Sequence, residues 1–434
     1  MTSDRDLPRE AYVWIWLAGE TRPVVAGLLS TEGDTLIFNY GLSYLARQNA
    51  IAIYTPELPL EPGIQRPLEG LKMPSCIRDG APDAWGRRVI INRRLGHNRE
   101  RIDVGQLDEL TYLLESGSDR SGALDFQRSA SGYEPREASA ASLEDLLEAA
   151  DHVEKGIPLT ADLAEAFLHG SSIGGARPKA MIVEGSKKYI AKFSTQSDIF
   201  NFVKAEYIAM RLARRVALTV APVRLVKAAG RDVLLIERFD RRPVAGGWTR
   251  RPMVSALTLF GLDEMMARYA SYEDLCSIIR HRFSEPVATL RELFGRLVFN
   301  ILAGNTDDHA RNHSAFWDGS SLALTPAYDV CPQARAGNEA TQAMLITGAN
   351  RMSQLAVCRT AATNFRLSKE EADQIIVAQV DAIREGWNDV CEEASLAESD
   401  RNAMWRRQFL NPFAFEGLPQ HLSRLAAAEP AAGL

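Results

Sequence analysis

From Leu290 to Leu302 the large apolar residues recur three and four positions apart: Leu290, Leu293, Phe294, Leu297, Val298, Ile301 and Leu302. That spacing gives a helix a broad apolar face, which only a packed core can cover, and Gly304 marks its end. A polar loop comes next: Asn305-Thr306-Asp307-Asp308-His309-Ala310-Arg311-Asn312. Ser314 to Trp317 then reads as a short strand, Asp318-Gly319 as a hairpin turn and Leu322 to Thr325 as the returning strand. Ala327-Tyr328-Asp329-Val330 closes the stretch. The order of buried helix, acidic loop, hairpin and second Asp constrains the rest of the chain.

That order supplies the parts phosphoryl transfer from ATP needs: a carboxylate beside the attacking hydroxyl, and an Asn oxygen with another carboxylate to hold Mg²⁺ against the phosphates. In protein kinases the base Asp and the metal-binding Asn stand five positions apart, and the metal-binding Asp comes later. Asp307 and Asn312 have that separation, and Asp329 lies past the hairpin. The His-Arg-Asp and Asp-Phe-Gly words are absent. Two other readings compete: loop polars that cap a turn, and a hydrolytic metal site from Asp307, Asp308, His309 and His313. The second leaves the hairpin and Asp329 unused.

Length and composition narrow the class. The chain has 434 residues and a net charge of −6, so it holds two or three domains and is not a nucleic-acid polycation as a whole. Its five cysteines are scattered without a Cys-x-x-Cys pair, which points to a reducing compartment and away from a zinc site. With a charged start and no long apolar run, the expectation is a cytoplasmic protein outside any membrane.

In chain order, Ala11 to Leu17, Val24 to Leu29 and Thr35 to Tyr40 read as strands of a small α+β unit covering residues 1–128. A helix starts near Asp83. Residues 129–160 read as a linker and a helix opened by Ser142 at near capping-box spacing. Residues 161–245 read as a small β-rich lobe. There the run from Gly170 to Lys179 could bring backbone N–H groups to phosphates; an ordinary helix-to-strand turn is the competing reading. Lys179 to Val183 and Lys188 to Phe193 form a hairpin. Lys192 on it stands where a kinase places its phosphate-neutralising lysine, although most strand lysines are simply solvated. A helix capped by Asp198 runs to about Val216, and its Glu206 could reach Lys192. The strand Val233 to Ile236 leads into Glu237-Arg238-Phe239-Asp240-Arg241, a natural hinge whose backbone could meet an adenine edge while Phe239 packs on the ring. Residues 246–434 read as a mainly helical lobe, with helices at Ala256 to Ala270, at Tyr272 to Arg282 and after Ser368. The segment from Glu416 onward is expected to fray.

Taken together these residues resemble the HipA serine/threonine kinases, toxins of bacterial type II toxin–antitoxin modules. The resemblance covers nearly the whole chain. It rests on Pro82-Asp83-Ala84-Trp85-Gly86-Arg87, Gly122-Ala123-Leu124, Ser172-Ile173-Gly174-Gly175-Ala176-Arg177-Pro178-Lys179 and Ile190-Ala191-Lys192. Glu237-Arg238-Phe239-Asp240-Arg241, Thr306 to Asn312 and Thr325-Pro326-Ala327-Tyr328-Asp329 continue it.

The resemblance implies a two-lobed, protein-kinase-like α+β fold that uses ATP and Mg²⁺. Asp307 would be the base, and Asn312 and Asp329 the metal ligands. Lys192 would contact the ATP phosphates, with Gly174, Gly175, Ala176, Arg177, Pro178 and Lys179 as the phosphate loop. Glu237, Arg238 and Phe239 would hold adenine, and His309 and Tyr328 would line the nucleotide site. Ser172 matches the family's autophosphorylated serine, whose phosphate switches the enzyme off by drawing the loop from the nucleotide; a charge of about −2 beside the ATP phosphates fits that ejection. Ser171 is adjacent. Asp308 stands where some members have Gly. The implied partners are a HipB-like dimeric DNA-binding antitoxin, DNA through that antitoxin, and a protein substrate; known family targets include aminoacyl-tRNA synthetases. A different class also fits, an idle nucleotide-binding scaffold or co-repressor of a toxin–antitoxin operon.

Overall fold

The computed structural model describes residues 7–97, 107–136, 141–160, 163, 164, 167, 175, 177–195, 200–335, 337–427 and 429–431. Ser171, Ser172, Gly174, Ala176 and Asp198 lie outside these described residues. The chain divides into two compact units: Met1–Ser197 with Val226–Val254 and Phe316–Ser320, and Asp198–Leu225 with Ser255–Ala315 and Ser321–Leu434. Their mixture of antiparallel sheets and helices is the α+β, kinase-like class expected.

Among its described residues the first unit carries most of two larger sheets. One has five strands in the order Ile64–Gln65, Thr35–Tyr40, Val24–Glu32, Glu10–Ile15, Leu124–Gln127, and its neighbours run antiparallel. The other orders Lys179–Glu184, Lys187–Phe193, Arg231–Glu237 and Val223–Ala228. Along Lys187–Phe193 side chains alternate: Tyr189, Ala191 and Phe193 are buried, while Lys188, Ile190 and Lys192 occupy the other face. The buried face packs on Trp85, Val89, Leu146, Ala150 and Phe167, which draws in the helices Ala84–His97 and Leu143–Glu154. Ser142 and Asp145 close the capping box of the second helix. After the strand Arg231–Glu237, Arg241–Val244 and Gly247–Arg250 pair as a hairpin that the sequence pattern did not signal.

The second unit is mainly helical. Its central helix, Pro286–Leu302, is buried over most of its length. It starts one turn before the apolar repeat because Pro286 at the first helical position needs no N–H partner. Phe294 packs edge-on against Phe365, and the long helix Lys369–Glu393 carries the Ser368/Glu371 capping box.

Several expectations change. The helix expected from Ala256 to Ala270 runs only from Ala256 to Leu259, since Gly261 turns at φ +65° and a 3-10 turn, Ala267–Tyr269, comes after it. Asn201, not Asp198, caps the helix Phe202–Arg215, its side chain accepting from the Lys204 N–H. That helix falls in the second unit, although residues 161–245 were read as one lobe. Lys204 donates to the Ser395 carbonyl at 2.7 Å, and Arg215 meets Asp389 at 3.0 Å. The tail beyond Glu416 is anchored by buried Leu422 and Leu425.

Candidate active site

In the second unit, Gly304 ends the buried helix at φ +69°, and a Cβ there would lie 2.5 Å from the Gln408 carbonyl oxygen. The conformation and the close approach both require glycine. The loop then curls on itself. The His309 N–H donates to the Asp307 carbonyl at 2.9 Å, and the Asn312 N–H donates to the His309 carbonyl at 2.8 Å. Asn312 Nδ2 donates to the Asp307 carbonyl at 3.1 Å. This amide bond fixes the orientation of Asn312 and leaves Oδ1 as its lone-pair donor. Asp307 is exposed and Asn312 buried.

Asp329 adopts φ +58°, a left-handed conformation that a non-glycine residue keeps only when its surroundings impose it. Those surroundings are visible. The Ala327 N–H donates to the Thr219 carbonyl at 2.8 Å, and the Ala221 N–H donates to the Ala327 carbonyl at 2.9 Å. Buried Arg296 donates to the Thr325 carbonyl at 2.8 Å. The Tyr328 hydroxyl donates to the Arg311 carbonyl at 2.7 Å and lies 2.5 Å from Ser314 Oγ. Tyr328 therefore ties the segment carrying Asp329 to the loop carrying Asp307 and Asn312. The electrostatics agree. Loss of water raises the Asp307 carboxyl above its ordinary range, and the charges of Asp329 and Asp308 push the same way, against His309.

Asp308 and His313, weighed at first as metal ligands, face inward. His313 Nε2 lies 2.9 Å from Asp308 Oδ1, with both residues at most 3% exposed, and buried Tyr272 donates to Asp308 Oδ2. Burial alone would raise the Asp308 carboxyl; His313, Tyr272 and Asn300 outweigh it and hold the group below its ordinary value. The cavity beside them measures about 10 Å³, space for a single water-sized body. No group of three His, Cys, Asp or Glu among the described residues could cage a metal. Asn312 and Asp329 do fit Mg²⁺, which keeps several waters and takes one or two carboxylates together with substrate phosphates.

The first unit presents a different set. Lys192 sits opposite Lys179 on one neighbouring strand and Leu234 on the other. Gly175 has φ +114°, a conformation that favours glycine, and the tip of buried Lys179 lies beside it. Arg177 and Pro178 lead into the Lys179 strand. Glu237 pairs through its side chain with Lys187 at 2.6 Å. The Arg238 N–H donates to the Lys188 carbonyl at 2.8 Å, and half-buried Phe239 meets Phe316 edge-on with centroids 5.8 Å apart.

The Arg238 side chain has partners that sequence reasoning missed. It is buried, donating to the carbonyls of Asp119 at 2.9 Å and Arg120 at 2.7 Å and to both Asp240 carboxylate oxygens. Arg241 joins through Asp119 and Asp240, and Lys188 reaches Asp119. Arg238 thus acts by its side chain as a clamp on the loop around Asp119, and only its backbone remains for a hinge. Nothing near Arg238 in sequence signals a partner 119 residues away.

Comparison with known proteins places the chain in a family. Residues 171–387 match the HipA-like C-terminal domain, and residues 15–127 match the HipA N-terminal domain. The chain belongs to the HipA family. The serine/threonine-protein kinase toxin HipA of Shewanella oneidensis is 28% identical over 183 residues, 37% of this chain and 42% of that protein. Alignments to three curated relatives span 31% to 52% of those proteins, so this HipA-family chain matches about half their length or less. A solved complex of HipA, HipB and operator DNA from Shewanella oneidensis MR-1 shares the fold. Its TM-score is 0.59 at 17% identity, over 96% of this chain and 94% of that one. Among the described residues no helix is long and apolar enough to cross a membrane.

Proposed function

We propose that this HipA-family chain is an ATP- and Mg²⁺-dependent protein serine/threonine kinase that acts as a toxin. The observation that carries the reading is the tie between Asn312 and Asp307, with the Tyr328 hydroxyl holding the segment of Asp329 to the same loop. Asp307 takes the proton of a substrate hydroxyl as its oxygen bonds to the γ-phosphorus, while the bond to the bridging oxygen breaks and ADP leaves. Asn312 and Asp329 would hold Mg²⁺, which when bound would neutralise the phosphate charge that develops. Lys192 and the phosphate loop from Gly174 to Lys179 are assigned to the phosphates, and the Glu237–Phe239 backbone with the Phe239 ring to adenine. His309 and Tyr328 are assigned to the edge of the nucleotide site.

The same reading makes Ser172 the autophosphorylated residue and a HipB-like DNA-binding antitoxin the partner, which would bring the chain to DNA. The protein substrate is one whose phosphorylation stops growth, such as a translation component. Purified protein with labelled ATP should label itself at Ser172; chelation of Mg²⁺ should abolish that transfer, and Asp307→Ala should reduce it about 10²- to 10⁴-fold. Labelling that survives Asp307→Ala rejects the base assignment. ATP binding without transfer to itself or to any lysate protein supports the idle scaffold instead.

A further inference from the structure

We infer that Asp308, His313 and Tyr272 form a buried clasp that positions Asn312 for metal binding, so that Mg²⁺ affinity is set one residue outside the ligand set. The inference rests on the kinase reading above. Asp308 directly follows the assigned base, and His313 directly follows the assigned metal ligand. Their side chains meet at 2.9 Å behind the loop, which joins its two ends. Tyr272, from the helix Tyr272–Arg282, donates to the second Asp308 oxygen and lies 3.4 Å from His313 Nε2. Tyr272 packs near Phe365, both fully buried, so the clasp is anchored in the core.

The backbone conveys this anchoring outward. The His313 carbonyl accepts from the Ala256 N–H at 2.7 Å, which fixes the residue after Asn312 a second time. Between the anchored ends, Asn312 Nδ2 reaches the Asp307 carbonyl. The loop therefore has little freedom to change the separation between base and metal ligand. A glycine at position 308 could not supply such a tie, so a chain with Asp there gains a preformed loop. These three residues touch neither substrate nor metal in this arrangement; they are positioning residues.

The test uses the full-length protein and reads two quantities, Mg²⁺-dependent binding of a fluorescent ATP analogue and phosphate transfer across a Mg²⁺ titration. Asp308→Asn should raise the Mg²⁺ concentration for half-maximal transfer about tenfold, the fold-change expected from one lost interaction of about 1.4 kcal/mol. At saturating Mg²⁺ its KM for ATP should stay within about twofold of wild type. Tyr272→Phe removes one hydroxyl and keeps the ring; should Asp308→Asn fail to fold, it carries the test alone, with an expected rise of about threefold. A purely structural role lowers the active fraction without moving the Mg²⁺ midpoint, so a soluble Tyr272→Phe protein that titrates like wild type overturns the clasp. Wild-type protein that neither binds the analogue with Mg²⁺ nor transfers phosphate overturns the kinase reading itself, and the clasp with it.

Discussion

Arg238 and Asp119 meet twice: Arg238 Nη1 donates to the Asp119 carbonyl at 2.9 Å and lies 3.1 Å from its carboxylate. The contact joins the loop ahead of Leu124–Gln127 to the exit of Arg231–Glu237, two segments the chain brings together only through the fold. Asp240 accepts from the Gly122 N–H at 2.8 Å, and Arg250 donates to the Ser118 carbonyl at 2.8 Å. Burial makes this network costly to open, because each cation left without its carboxylate stays out of water.

The first expectation concerns that cost. Asp119→Ala leaves Arg238, Arg241 and Lys188 facing a missing charge, and should destabilise the first unit by about 3–5 kcal/mol. Removing Glu32 from its ion pair with Arg66 should cost less than about 1 kcal/mol, since those side chains are 45% and 60% exposed. Urea unfolding of both variants, monitored by the fluorescence of the buried tryptophans, measures the contrast. Equal midpoints would show that the buried network contributes no more than a surface pair.

The same network sets an acid limit. Burial alone would raise Asp240, but Arg238, Arg241 and the Gly122 N–H bring it down to about 2, and Asp119 is also held well below its ordinary value by Arg238 and Arg241. A carboxyl depressed in the folded state contributes stability that is complete above its unfolded value near 3.9. That contribution is lost as pH falls through the folded value. Unfolding free energy should therefore decline from about pH 5 towards pH 2. Asp240→Asn should be less stable at neutral pH and should show a shallower decline. A slope as steep as that of wild type would place the acid sensitivity elsewhere.

Local pattern carried the elements around the candidate site well. The Leu290–Leu302 repeat, the strands Ser314–Trp317 and Leu322–Leu324, and the Ser368 capping box are all settled by residues within one element. Readings failed where distance in sequence decides. Leu257 and Leu259 are buried as an extended helix would have them, yet Gly261 ends the helix there. Asp308 and His313 have the residue types of a metal site, and only Tyr272, 36 residues upstream of Asp308, shows that they turn inward. The clamping role of the Arg238 side chain was not legible, because its partners Asp119 and Arg120 lie in another segment.

Gly304→Ala should be among the most damaging small substitutions. At φ +69° an alanine suffers about 1–2 kcal/mol of backbone strain, and its Cβ would meet the Gln408 carbonyl oxygen at 2.5 Å. The pairing of the Leu410 N–H with the Leu302 carbonyl at 2.8 Å lies beside it, so relief of the clash would move the end of the buried helix. The expected loss is at least about 2 kcal/mol, read from the unfolding midpoint. Gly337→Ala, where nothing stands within 4 Å of a Cβ, is the control and should be nearly neutral.

Tyr328→Phe separates positioning from folding. The hydroxyl donates to the Arg311 carbonyl and accepts from Ser314 Oγ; removing it keeps the ring and its packing. The segment carrying Asp329 then loses its side-chain tie to the loop carrying Asp307 and Asn312, while Arg296 and the Thr219–Ala327 pairing still hold it from the other side. One hydrogen bond of about 1.4 kcal/mol corresponds to a tenfold change. On the kinase reading, kcat should therefore fall about tenfold while the unfolding midpoint drops by only a few degrees. Ser314→Ala should have a smaller effect, because Tyr328 keeps its bond to Arg311. Steady-state transfer with saturating ATP and Mg²⁺ measures both. A Tyr328→Phe protein with wild-type kcat would mean that the left-handed backbone at Asp329 holds the carboxylate without help from its neighbour's hydroxyl.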